Sequence, residues 1–306
     1  MTPGYIFKRA SETLITVFFV ITLTFIFLRA LPGGPFDGEE GISLEQKRQQ
    51  EAFFNLDQPM VIQYFNYLKN ALMFNFGQSF RYANKNVSEV MADALWPTLE
   101  ISLVSLFSAY LIGIPLGLFS VYLYKTRWDG VAVFFISSGI CLPAFLVGPI
   151  LILVFSLKLD WFAPALLEGP ASFVLPVMTL GLRPLALVTR LIRASAVEIT
   201  KSDFVRAARA RGLSETKIYF KHILKNSLVP LLSISGSLGA SIISGTFIVE
   251  LLFAIPGLGN VLVDGVINRD YSLVIALAIF YTLLLVLLNL MMDLVLIKVD
   301  GRIVIK

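Results

Sequence analysis

The sequence predicts an all-α, polytopic membrane protein with six transmembrane helices and cytoplasmic N- and C-termini. Three observations lead there. Of 306 residues, 57% are hydrophobic and only 15% charged, with a mean hydropathy of +0.79, more apolar surface than a water-soluble domain needs. Six apolar stretches approach or exceed the roughly 17 to 20 residues that cross a bilayer as a helix. The basic residues are segregated: Lys8 and Arg9, Lys125 and Arg127, the nine from Arg190 to Lys225, and Lys298, Arg302 and Lys306 make sixteen of the 25 and fall on one side. The bias of Lys and Arg toward cytoplasmic loops makes that side the inside. A net charge of +4 and a pI near 9.1 therefore reflect topology rather than a face for nucleic acid.

The first apolar segment runs from Ala10 to Leu31. Lys8 and Arg9 precede it as they would a signal peptide, but it ends in PGGP with no small-residue cleavage site, so it reads as a retained helix. Arg29, near its far end, is expected to snorkel to the headgroups. Pro32 to Trp96 is the sizeable extracytoplasmic region. In it Ser43 and Gln46 have capping-box spacing, and Pro59 suits the first turn of a helix through VIQYFNYLKNAL. The second segment, Pro97 to Tyr124, carries Gly113 and Gly117 around Pro115, which implies close helix contact and a kink. Glu100 would sit one turn in, where a carboxylate suits the helix dipole. The third, Val131 to Leu157, holds Pro143 and Pro149 and should be bent. The fourth, Phe173 to Arg193, contains Arg183. The fifth, Leu228 to Leu252, has two small-residue ladders, Gly236–Ala240–Ser244 and Ser237–Ser241–Gly245, on sides that could admit neighbouring backbones. The sixth, Leu273 to Ile297, has Asp293 near its inner end.

The long polar interruption in the second half is Ile199 to Pro230. Lys201, Arg206, Arg209, Arg211, Lys217, Lys221 and Lys225 stand there against Asp203 and Glu215. Asp203 is expected to cap a short helix in which Phe204, Ala207, Ala208 and Arg211 share a face. Gly212, free to take positive φ, suits the C′ stop, and Ser214 can start a second helix over Leu213 to Leu224, also outside the bilayer. Attraction to anionic headgroups, about 1 kcal/mol per charge, would account for the charge. It would not account for the small face, the glycine stop and the length together.

These residues resemble the permease subunits of bacterial ABC importers in the branch that handles peptides and nickel. That family shares a cytoplasmic loop of the type (E/R)-(A/T)-A-x-x-x-G, matched by Arg206, Ala207, Ala208 and Gly212. Arg206 stands where many other branches carry Glu, and Pro230 lies farther beyond the glycine, which narrows the branch. NLDQPMVIQYFNYLKNALMFNFGQSF is similar to the region after the family's first helix, with Asn75 where Asp is common. VELLFAIPGLGNVLVDGVINRDYSLV is similar to its gate-side segment.

The resemblance implies an ABC importer permease fold in the bacterial inner membrane. Residues 1–31 would form the N-terminus and first helix, 32–96 the extracytoplasmic helical region, and 97–306 a five-helix core with its coupling loop at 199–230. Asp203, Phe204, Arg206, Ala207, Ala208, Arg209, Arg211 and Gly212 would meet the ATPase, and Arg183, Gly236, Ser237, Ala240 and Ser241 would line the path. The implied partners are a homologous second permease, two cytoplasmic ATPase subunits carrying ATP and magnesium, an extracytoplasmic solute-binding protein and the lipid bilayer. The chain itself would bind no cofactor. Oligopeptides are the implied substrate, with dipeptides or nickel complexes as the alternative.

The residues speak against chemistry within the chain. No G-x-x-x-x-G-K-[ST] phosphate cradle occurs, and with one histidine, His222, and one cysteine, Cys141, neither a multi-histidine metal site nor an internal disulfide can form. A self-sufficient secondary transporter would call for carboxylates at membrane depth and internal repeats. By the sequence, acidic residues lie at helix ends and in loops. Arg183 keeps two readings: a snorkelling or paired arginine beside Pro184, or a contact for the carboxylate of a passing peptide.

Overall fold

The computed structural model describes residues 3–30, 33–36, 43–82, 84–167 and 169–299. They are helical, and their one β feature is an isolated antiparallel bridge between Gln78 and Asn86. Leu31 and Pro32 of the first breaker, and the C-terminal Arg302 and Lys306, lie outside the described residues. Among the described residues five helices are long and apolar enough to cross a membrane, and a bent pair makes a sixth span if counted as one. That pair is the third predicted segment. It is α5 (Asp129–Cys141) followed by α6 (Ala144–Leu151) and a stretch of π-helix over Ile152–Lys158, with a 103° turn between them. Pro143 is the cause: it forces Leu142 out of the helical region to ψ 118°, as a residue before proline must go.

The chain divides into two compact units, Met1–Trp96 with Pro256–Leu284, and Pro97–Ile255 with Leu285–Lys306. In the first, α1 (Pro3–Ala30) buries Ile21, Phe25 and Leu28 in a cluster with Tyr271, Val274, Ile275 and Ile279 at the start of α13 (Tyr271–Val299). Helix α2 (Leu44–Phe53) opens with the expected capping box: Ser43 N–H donates to Gln46 Oε1 and Gln46 N–H to Ser43 Oγ. Helix α3 (Met60–Leu72) has Pro59 as its N-cap, one position earlier than the sequence suggests.

Arg29 finds partners within the protein. Its guanidinium donates to Gln63 Oε1 and lies 4.7 Å over the Tyr271 ring, so this cation is bound to protein groups. Asp270 is fully buried and caps α13 through the Leu273 N–H, while accepting from Ser79 Oγ and the Phe80 N–H. Burial pushes its carboxyl pKa up, and these hydrogen bonds pull it back. Helix α12 (Leu258–Ile267) completes this unit's core.

In the second unit, α7 (Val174–Ile199) is the central element, packing against α5, α6 and α10 (Lys225–Ser244). Helix α4 (Val87–Tyr122) starts ten residues before the predicted segment, since Pro97 lies inside it. Glu100 is therefore mid-helix and complements no helix end. Gly113 and Gly117 do admit a neighbour: a Cβ on Gly117 would lie 2.7 Å from Ile192 Cβ, and one on Gly113 2.9 Å from a Val188 methyl. On α10, Gly236 meets the later part of α13, where an added Cβ would fall 2.7 Å from the Asn289 Cα. Helix α11 (Phe247–Leu252) carries Glu250, fully buried and accepting from Thr98 Oγ1 at 2.7 Å. Glu100 thus overturns the expectation that carboxylates keep to helix ends and loops, whereas Glu250, though buried, lies in the first turn of α11 and meets it.

Candidate functional site

The cationic segment after α7 folds as a short helix, a stop and a return. Helix α8 (Asp203–Ala210) takes Ser202 as its N-cap, because Ser202 holds the extended conformation (ψ 153°) that a cap requires. Asp203 is the first helical residue, not the cap. It forms an ion pair with Arg206, one turn on, and its charge sits at the positive end of the helix dipole.

The helix is two-faced. Val205 is fully buried and Ala208 nearly so, in a cluster with Val121, Ala196, Ile218 and Ile223. Phe204, Arg206, Ala207, Arg209 and Arg211 are exposed, as are Asp203 and Gly212. The sequence pattern had placed Ala208 on the outer face with Phe204, Ala207 and Arg211. The structure turns it inward, paired with Val205, which the pattern did not single out although it lies three residues earlier. Arg209 grips Glu215 with two hydrogen bonds, Nε to Oε1 at 2.8 Å and Nη2 to Oε2 at 3.2 Å, and this raises the guanidinium pKa further.

Gly212 ends the helix. At φ +75° it donates to the Arg209 carbonyl at 2.9 Å, and Leu213 N–H reaches back to the Ala208 carbonyl at 3.3 Å. These are the two bonds of the Schellman stop. Ser214 then caps α9 (Glu215–Ile218), as expected. The second helix is not a separate piece, however: α9 continues through a π-helical stretch at Tyr219–Leu224, which includes His222, directly into α10.

A further contact steadies the approach to this segment. Arg193 donates to the Ser120 carbonyl at 2.8 Å and pairs with Asp129, joining the ends of α4, α5 and α7. The two side chains are 12% and 22% exposed, so the pair is largely shielded from water. The sequence counted Arg193 only as topological charge; nothing in its spacing pointed to Asp129.

The five expected path residues separate. Arg183 and Ser241 line one groove of about 590 Å³, between α7, α10 and the break at Cys141–Phe145. Gly236 and Ala240 are buried, Gly236 against α13, and Ser237 donates to Asn289 Oδ1 at 3.0 Å. Among the described residues, Arg183 has no ion pair or hydrogen-bonding side-chain partner.

Comparison with known proteins agrees with this architecture. Residues 113–304 match the family of binding-protein-dependent transport system inner membrane components. The oligopeptide transport system permease protein OppB of Haemophilus influenzae is 34% identical over 98% of both chains. That of Salmonella typhimurium is 36% identical over 90% of each. The dipeptide transport system permease protein DppB of Bacillus subtilis is 33% identical, covering 98% of this chain and 97% of its own. In fold, an inward-facing MetNI methionine ABC transporter structure covers 70% of this chain and 97% of its own at TM-score 0.57 and 16% identity. The chain therefore belongs to the inner-membrane component family of binding-protein-dependent transport systems, as a multi-pass permease subunit of the ABC importer type.

Proposed function

We propose that this permease forms half of the translocation path of an ATP-driven peptide importer and receives the motion of cytoplasmic ATPases through residues 199–230. The observation that carries the reading is the two-faced α8. Val205 and Ala208 fasten it to its own chain, while Phe204, Arg206, Ala207, Arg209 and Arg211 stand exposed on the outward side. A helix held on one side and open on the other can be pushed as a unit. In this reading ATP and magnesium reside on two ATPase partners, a homologous permease supplies the other half of the path, and a solute-binding protein delivers substrate from outside. The basic loops, the ATPases and both termini then share the cytoplasmic side. Relatives named for oligopeptides and for dipeptides support peptides as the class; we take oligopeptides as the substrate.

The test is the complex that copurifies with this chain at native expression. Two ATPase subunits and a second permease are expected, with the ATPases lost in an Arg206→Glu, Arg209→Glu variant. The intrachain partners of both arginines, Asp203 and Glu215, are exposed, and exposed, solvent-screened pairs add little to stability. Loss of the ATPases would thus reflect docking and not unfolding. ATPases retained at wild-type amounts would overturn the role of α8.

A further inference from the structure

One charged side chain in the second unit stands where charge is costly and has no partner of its own. Arg183 lies nine residues into α7, about 14 Å along the helix at 1.5 Å per residue. That is close to half the roughly 30 Å of a bilayer core. It belongs to a span long and apolar enough to cross a membrane, and a cation at such depth faces a wet cavity or a counter-charge. No counter-charge is present: Arg183 is exposed, and it is the one charged side chain among the described residues lining its groove. Ser241, across the groove on α10, is also exposed and adds a hydroxyl donor; Thr179, one turn before Arg183, has spent its own on the Leu175 carbonyl. The remaining wall is apolar, from Leu180, Leu187 and the broken helix at Pro143.

We propose that this groove binds the C-terminal carboxylate of the translocating peptide, with Arg183 as the ion-pairing group and Ser241 as a second donor. The inference rests on the peptide reading above. A path that accepts varied side chains can rely only on what every peptide carries, its backbone and its two charged ends. A lone cation with no carboxylate among its neighbours suits the anionic end and repels the ammonium. The groove then holds the carboxylate in an environment where a charge-assisted bond counts for more than it does in water.

The experiment uses the assembled complex in proteoliposomes with its binding protein and ATP. It compares uptake of trialanine with that of trialanine amide, so that any preference of the binding protein cancels between variants. Arg183→Gln should lower trialanine uptake roughly tenfold or more, the loss expected for one hydrogen bond to a charged group, and change amide uptake less than about twofold. Arg183→Lys should restore most of the trialanine rate. Equal loss for both peptides, in complexes recovered in normal amount, would overturn the proposal and point to a lipid phosphate or a neighbouring subunit as the partner of Arg183. Unchanged uptake of both would overturn it as well. A wild-type complex that takes up neither peptide would overturn the peptide reading, and this proposal with it.

Discussion

Gly212 shows how much one residue can decide. An added Cβ there would meet nothing within 4 Å, so the demand for glycine comes from the φ of +75° alone. A non-glycine residue in that region costs about 1–2 kcal/mol, and more if β-branched. Gly212→Val should therefore misplace the outer face of α8 and uncouple uptake from ATP hydrolysis, while Gly212→Asn, which tolerates left-handed geometry, should keep most of it. Measuring both rates on the same complex decides the matter, and normal coupling in the valine variant would remove the stop from the mechanism. This glycine was legible in the sequence because only backbone geometry was at stake. The cap was not. Ser202 and Asp203 are both good capping residues, and which one is extended depends on how the chain leaves α7 at Thr200.

For an element, the question is which face it buries. The spacing of Phe204, Ala207, Ala208 and Arg211 suggested a small outer face, but a helix of eight residues offers several such sets, and tertiary packing chose the one through Val205. Val205→Ala removes two methyl groups from full burial, a loss of about 2 kcal/mol, and should loosen α8 from its cluster. In a Cys141→Ala background, an added Ala208→Cys thiol should react slowly with a small maleimide and markedly faster once Val205→Ala is present. Equal rates would mean that α8 is held by other contacts. The glycine pair on α4 was readable because small-xxx-small spacing has few uses besides close approach, and Val188 and Ile192 fill that space. The bend at Pro143 was readable as a bend. Its 103° was not, since the angle depends on what α6 packs against, including α7 and α11.

For the whole molecule, hydropathy was enough to find the spans, because a long continuous apolar stretch can satisfy its own backbone in lipid as a helix. It could not find the pairings between distant residues: Arg29 with Gln63, Arg193 with Asp129, Thr98 with Glu250. Each joins positions separated by dozens of residues or more, and each takes a polar group the sequence would send to water. The buried Glu250 revives the question of a self-sufficient transporter, which would use carboxylates at depth. Its bond to Thr98 gives it a structural use instead, and the purified chain alone should move no peptide into liposomes without ATP. A gradient-driven flux through the chain by itself would restore that alternative.

The π-helical stretch at Tyr219–Leu224 has a consequence for chain length. It joins α9 to α10 without a break, so the turn that follows the Gly212 stop and the glycine face at Gly236 are linked by one continuous rod, Glu215 to Ser244, whose phase is set by a residue count. Successive residues on an α-helix are turned by about 100°, and a π turn accommodates one extra residue in that progression. Deleting a single residue between Tyr219 and Leu224 would close the bulge and leave the flanking turns in phase, whereas the same deletion in the regular turns of α10 before Gly236 would swing one end of the rod by that angle and take Gly236 away from Asn289. The π stretch is thus the one part of the rod where a change in residue count can be absorbed.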